Sequence, residues 1–328
     1  MGQRAVVTGG TGFIGSYLVR RLVKDGWDVG VVDTMVRGDA GRLAEVTQDI
    51  ELFRCDVRDE ESLVKAFKGA DVVMHLAAIN GTENFYKHPE LVLDVGIRGA
   101  IAVVNAGRTA GVPDLVAASS AEVYQTPAIV PTPEAISLTL PDSLNPRYSY
   151  GGSKIATELI CFNYAQDHYH SVQVFRPHNV YGPDMGFKHV VPQFILRAAT
   201  DYDAARNIAM PFAIQGDGSE TRAFCYAEDI VDGILTMYAH GAHREVYHIG
   251  NDEEVTIRDL AERVGKLVGV ELDIQPGNAP EGGTPRRCPD ISKMRALGYQ
   301  PAVGLNEGLE RTVAWYLDHR NDVTNALL

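Results

Sequence analysis

The chain has 328 residues, 45% hydrophobic and 22% charged, enough for a large core and, on length alone, about two domains. Its formal net charge of −13 excludes a general nucleic-acid or anionic-membrane surface, so any anion it binds has to be held locally. No apolar run reaches the ~20 residues needed to span a bilayer, and the first strand begins too early to leave room for a secretion signal, which predicts a cytoplasmic protein without membrane contact.

The first predicted strand, Ala5 to Val7, runs into Gly9, Gly12 and Gly15, spaced Gly-x-x-Gly-x-x-Gly, and an amphipathic helix follows with Phe13, Ile14, Tyr17, Leu18 and Val23 on one side. Gly9 permits the sharp turn, Gly12 lets a diphosphate approach, and Gly15 lets the helix lie close on the strand. The phosphates then face unpaired amides at the positive end of the helix. A second strand, Asp28 to Val32, ends in Asp33, placed to accept from an adenosine ribose. An acid there repels a 2′-phosphate and favours NAD over NADP, while Arg37 leaves that choice open.

A third strand, Ile50 to Asp56, also closes on an acid, and Asp56 and Val57 are expected beside the adenine ring. Helix Glu60–Lys68 precedes the strand Asp71–Ala78, whose end, Leu76-Ala77-Ala78, suits close backbone approach to the cofactor. A helix from about Glu90 to Ala110 leads to the strand Leu115–Ser119. This alternation implies a doubly wound α/β fold, a parallel sheet covered on both faces, with ligands outside the carboxyl ends of its strands. Ser120 and Glu122 leave the sheet at that edge. Residues 125–149 hold five prolines and read as a long loop.

Tyr150 and Lys154 open a helix running to about His168 and project from one face. A lysine ammonium and a positive nicotinamide beside Tyr150 favour its phenolate, which could take a proton from a sugar hydroxyl as hydride leaves the same carbon. Ser120 would hydrogen-bond that oxygen. After the strand Ser171–Phe175 the rhythm changes to short elements: a helix near Pro192–Ala199, strands Phe212–Gln215 and Thr221–Tyr226, a helix from Thr256 and a last one over about Asn306–His319. Helix Asp229–Ala239 and strand Val246–Ile249 are expected to return to the sheet. Cys55, Cys161, Cys225 and Cys288 are scattered, which predicts buried free thiols rather than a zinc or disulfide framework.

Thr8-Gly-Gly-Thr-Gly-Phe-Ile-Gly15, His75-Leu-Ala-Ala78, Ser119-Ser-Ala-Glu-Val-Tyr124, Tyr150-Gly-Gly-Ser-Lys154, Arg176-Pro-His-Asn-Val-Tyr-Gly-Pro183 and Thr221-Arg-Ala-Phe224 together resemble the extended short-chain dehydrogenase/reductase family, most of all its NAD-dependent nucleotide-sugar epimerases and dehydratases. The resemblance implies a Rossmann NAD-binding domain over residues 1–178, rejoined by about 227–250, and a smaller nucleotide-sugar-binding domain over most of 179–328. It implies Ser120, Tyr150 and Lys154 as the catalytic set, and Asn179, Arg222 and Arg286 or Arg287 facing the substrate diphosphate. A homodimer paired through long helices also follows from it.

Two positions depart from the resemblance. Gly96 stands where these enzymes commonly carry asparagine. Glu122 stands where plain 4-epimerases carry a small hydroxyl residue, and glutamate is frequent there in dehydratases and nucleotide-glucuronate decarboxylases. Glu122 could remove a proton at C3 or C5 of a 4-keto sugar. Ala121 replaces the aspartic acid of 4,6-dehydratases. The expected activity is redox-neutral C4 epimerisation, with dehydration, C3 or C5 epimerisation or decarboxylation through Glu122 as alternatives, and an NAD-sensing regulator as a different class.

Overall fold

The computed structural model describes residues 2–200, 209–278 and 283–320. Six strands in chain order, β1 (Arg4–Thr8), β2 (Asp28–Val32), β3 (Ile50–Phe53), β4 (Val72–His75), β5 (Asp114–Ala118) and β6 (Ser171–Pro177), join the strand Glu245–Ile249 in one seven-stranded sheet. The order is Glu245–Ile249, β6, β5, β4, β1, β2, β3, and every pairing is parallel. The order reverses direction between β1 and β4, the position where doubly wound sheets open a crevice at their carboxyl edge.

Apolar side chains fill both faces. On one face Leu18, Val19 and Leu22 of α1 (Phe13–Lys24) and Ile230, Ile234 and Met237 of the helix Ala227–His240 pack on Val7, Val29 and Met74. On the other, Leu63, Val103, Val104 and Cys161 pack on Val6, Val73 and Leu115. A separate cluster holds Tyr181, Phe194, Phe212, Leu260, Leu309 and Tyr316, outside the large sheet.

Several elements differ from expectation. The third strand stops at Phe53, because Cys55 turns back to bond the Phe53 carbonyl. The helix expected over 90–110 contains a π turn, Asp94–Arg98, between α-helical Pro89–Leu93 and Gly99–Ala110. Such a turn inserts one residue into the helical register and is frequent near functional sites. The helix opened by Tyr150 ends at Tyr164, and the helix after Asp59 ends at Ala66. The expected strand 221–226 breaks at Phe224 into two pieces that pair with different partners. The long loop is tied down: Thr132 bridges Pro289, Thr139 bonds Val123, and Asn145 caps a short turn Pro146–Tyr148. All four cysteines are free thiols, but Cys55 is only half-buried.

Candidate active site

At the carboxyl ends of β1 and β4 the glycine turn is closed by backbone contacts. Gly9 has φ +74°, and a Cβ there would lie 2.8 Å from the Ala77 backbone. A Cβ on Gly15 would lie 2.1 Å from the Gly9 carbonyl oxygen, so the helix can sit this close only with glycine. Gly12 precedes α1 with no side chain capping the first turn, which leaves the amides around Phe13 and Ile14 pointing outward. Asp33 accepts from the amides of Thr11 (3.1 Å) and Met35 (2.8 Å), so its carboxylate is locked at the mouth of the turn. The Thr11 hydroxyl is buried without a partner. Leu76 and Ala77 donate their amides to Thr8, and Ala78 packs towards Tyr150. This side-chain-free cradle, with an acid at the ribose position, fits the diphosphate and adenosine of NAD.

At the expected adenine position Asp56 has a partner that its sequence context does not show. Val57 is buried, but both carboxylate oxygens of Asp56 are engaged by the Arg58 guanidinium, which also pairs with Asp94 in the π turn. Hydrogen bonds from Arg58 hold Asp56 below the usual carboxylate range.

The helix Ser149–Tyr164 carries Tyr150 and Lys154 against the turn Ala121–Val123. Gly151 permits this approach, since a Cβ there would meet Gln125 Nε2 at 2.6 Å and the Glu122 carbonyl oxygen at 2.9 Å. Tyr150 lies beside Ser120, which favours its phenolate, and stacks on Phe85, with ring centroids 5.1 Å apart. Lys154 donates to the Ala118 carbonyl (2.7 Å), and its ammonium lies 5.8 Å from the Tyr150 ring centroid. Burial pushes the Tyr150 phenol up to about 12 and pulls Lys154 down to about 8. The protein alone therefore favours the neutral phenol, and Lys154 is bonded to backbone, which leaves the nicotinamide charge of the expectation as the group that would favour the phenolate. Behind the pair, His75 bonds Thr8 (2.8 Å), and burial holds its imidazole neutral.

The opposite wall is made of charge. Glu122 Oε1 accepts from Arg287 Nη1 at 2.6 Å. Burial works to raise the Glu122 carboxyl, but Arg287, Arg147 and Arg222 together hold it below its ordinary range. Arg222 bonds the Thr221 carbonyl (2.7 Å), and burial, then the Arg287 charge, lower it to about 10. Asn179, at φ +39°, donates to the Ala223 carbonyl (3.1 Å) beside it. Arg286 is not in the wall: its neighbour on the strand faces inward while it pairs outside with Glu254. Arg147 Nε, Ser149 Oγ, Glu220 Oε2 and Arg287 Nε are buried without partners, which marks this wall as a polar binding surface.

Sequence reading missed Phe85, Arg147, Glu220 and the Arg58 bridge. Arg147 lies three residues before Tyr150 and was available as a basic residue on the approach to the catalytic helix; Phe85 carries no comparable signal. Behind the wall, Glu158 pairs with Arg176 (2.6 Å), Arg176 bonds Tyr124, and Tyr124 bonds His248 (2.6 Å), fixing the 119–125 turn. Among the described residues no cluster of His, Cys, Asp or Glu could hold a metal, and no helix is long and apolar enough to cross a membrane.

The sequence profile described as the NAD dependent epimerase/dehydratase family matches residues 5–250. A UDP-N-acetyl-alpha-D-glucosaminuronate decarboxylase of Bacillus cytotoxicus is 30% identical over 98% of this chain and 100% of its own. A dTDP-glucose 4,6-dehydratase from Streptomyces venezuelae, solved as a double mutant with NAD bound, superposes with TM-score 0.86 at 27% identity, over 98% of this chain and 99% of that one. A UDP-glucose 4-epimerase from Thermotoga maritima, solved with UDP-glucose, gives TM-score 0.86 at 26% identity, over 97% and 100%. With its glycine cradle, its buried Tyr150–Lys154 pair and a profile match across most of its length, this chain belongs to the NAD-dependent epimerase/dehydratase family of enzymes.

Proposed function

We propose that the chain is a redox-neutral enzyme that acts on a nucleotide-diphosphate sugar at C4, that the sugar is a uronate, and that the 4-keto intermediate loses its carboxylate. NAD, when bound, supplies hydride acceptance and return. Ser120 would hold the C4 oxygen, and Tyr150 would take its proton as the phenolate, a form that a bound nicotinamide cation would favour over the neutral phenol of the protein alone. Lys154 fixes the tyrosine and the adjoining ribose. The C5–carboxylate bond then breaks, carbon dioxide leaves, and its electron pair moves onto the C4 oxygen as an enolate. Tyr150 and Ser120 hydrogen-bond that oxygen, C5 takes a proton from water, and Tyr150 gives its proton back to the C4 oxygen as hydride would be returned to C4.

The observation that carries this reading is the arginine clamp on Glu122. A carboxylate held below its ordinary range is a weak carbon base, which argues against proton removal at C3 or C5. Ala121 offers no acid for a leaving hydroxyl, which argues against dehydration. Decarboxylation needs neither group, and Arg147, Arg222 and Arg287 exceed Glu122 and Glu220 by one positive charge, which supports reception of an anionic sugar nucleotide. Epimerisation at C4 is the second reading, favoured by the same passive Glu122, because rotation of a 4-keto sugar needs no carbon base.

In this reading residues 1–178 with 227–250 bind the cofactor and most of 179–328 bind the sugar nucleotide. The exposed Leu93, Leu159 and Tyr164 on neighbouring helices support pairing of two copies, which light scattering tests: a mass of one subunit rejects it. The reaction is tested by mass spectrometry after incubation in heavy water with UDP-glucuronate, UDP-N-acetylglucosaminuronate and neutral nucleotide sugars. The expected product has lost carbon dioxide and carries one deuterium on carbon. A uronate isomer without deuterium selects the 4-epimerase, and no turnover with NAD bound returns the regulator reading.

A further inference from the structure

Residues 34–39 fold over the glycine turn after leaving Asp33. Asp39 donates its amide to the Thr11 carbonyl at 3.1 Å, and a Cβ on Gly38 would lie 1.8 Å from Thr11 Oγ1 and 3.1 Å from Asp33 Oδ2. This segment is the adenosine-side lip of the groove. The facing lip is the stretch after β4, where Asn80 and Gly81 follow Ala77 and Ala78. Arg37 joins the two. Its Nη1 donates to the Asn80 carbonyl, and its Nη2 is 3.5 Å from where a Gly81 Cβ would stand. Its charge also acts on Tyr150 and on His189. The Arg37 side chain as a whole is exposed, and it turns towards the reacting end rather than towards the ribose 2′ position beside Asp33.

We propose that Arg37 is a cofactor-retaining residue that straps the groove shut and holds the reduced cofactor in preference to the oxidised one. NADH carries one more negative charge than NAD, because the nicotinamide has lost its positive charge while the diphosphate is unchanged. A guanidinium fixed across the groove therefore attracts NADH more strongly. The proposal rests on the cradle's fit to NAD and, for its purpose, on the hydride-returning reading: a reduced cofactor lost between the two transfers would strand a keto sugar.

The test needs no sugar. Holoenzyme is loaded with NADH, and loss of bound-NADH fluorescence is followed in the presence of pyruvate and lactate dehydrogenase as a trap, for the parent and Arg37→Ala. Equilibrium affinities for NAD, NADH and NADP are measured alongside, with circular dichroism as the folding control for this exposed position. The expected result is NADH dissociation about tenfold faster, with a larger affinity loss for NADH than for NAD. Unchanged dissociation, a loss no greater for NADH than for NAD, or a change confined to NADP would overturn the proposal. Turnover of a sugar panel by the parent fails or succeeds independently of this result.

Discussion

Gly9, Gly12 and Gly15 shape one side of the cleft by leaving side chains out, whereas Glu122, Arg147, Arg222 and Arg287 shape the other by pairing side chains from four separate stretches. The glycine turn is contiguous in sequence and fixed by steric limits of a few tenths of an ångström. The charged wall depends on long side chains whose positions are set by each other. In the proposed reading, a cofactor common to many reactions would be held by backbone, and the part that distinguishes one sugar from another would be held by groups that single substitutions can retune.

The comparison is broken most directly at Tyr150, which touches both sides. Tyr150→Phe should lower kcat by roughly 10³-fold through loss of the proton acceptor, with bound NAD unchanged by absorbance of the purified protein. If NAD is lost too, Tyr150 belongs to the cofactor side as well. The next effect is at the wall. Arg287→Met leaves Glu122 without its main partner and should lower kcat/KM by about 2 kcal/mol, while Glu122→Gln and the double variant close a cycle. A double variant no worse than Arg287→Met shows that the pair acts as a unit.

A third test uses the buried amine. Folding depresses Lys154 from 10.5 to about 8, so the unfolded chain binds more protons between those values. The stability it costs is absent above pH ~10.5, grows as pH falls and is complete below about 8. Buried Cys161, Cys225 and Tyr150 are shifted up and act in the opposite sense, so the Lys154 contribution is read as a difference. In urea unfolding of the cofactor-free protein, the stability of the parent relative to Lys154→Met should rise with pH across that window by up to ~1.4 kcal/mol per unit. The smallest effect is at Arg286, whose pair with Glu254 lies outside the wall: Arg286→Ala should leave kcat/KM within about twofold.

Legibility in the sequence followed the same division. The turn after β1, Asp33 and the Tyr150–Lys154 spacing are local patterns with steric or helical causes, and Ser120, Tyr150 and Lys154, which the resemblance grouped, lie near one another in the structure. Arg286 and Arg287 were indistinguishable because choosing between them requires the facing of a two-residue strand that has no periodicity to read. Asp56 looked free, since nothing in Asp56-Val57-Arg58 shows that the arginine folds back on its neighbour and reaches Asp94. Burial of the Tyr150 phenol, which raises it in the protein alone, is not displayed by sequence.

The π turn at Asp94–Arg98 places Gly96 where a Cβ would lie 2.7 Å from Ser153 Cβ, inside the Tyr150–Lys154 interval. A side chain at 96 therefore requires the π turn or the Ser149–Tyr164 helix to shift. Positions 96 and 153 are thus sterically coupled, so the cofactor-facing helix and the catalytic helix are spaced by one missing side chain, and any residue larger than glycine at 96 is felt within the Tyr150–Lys154 turn.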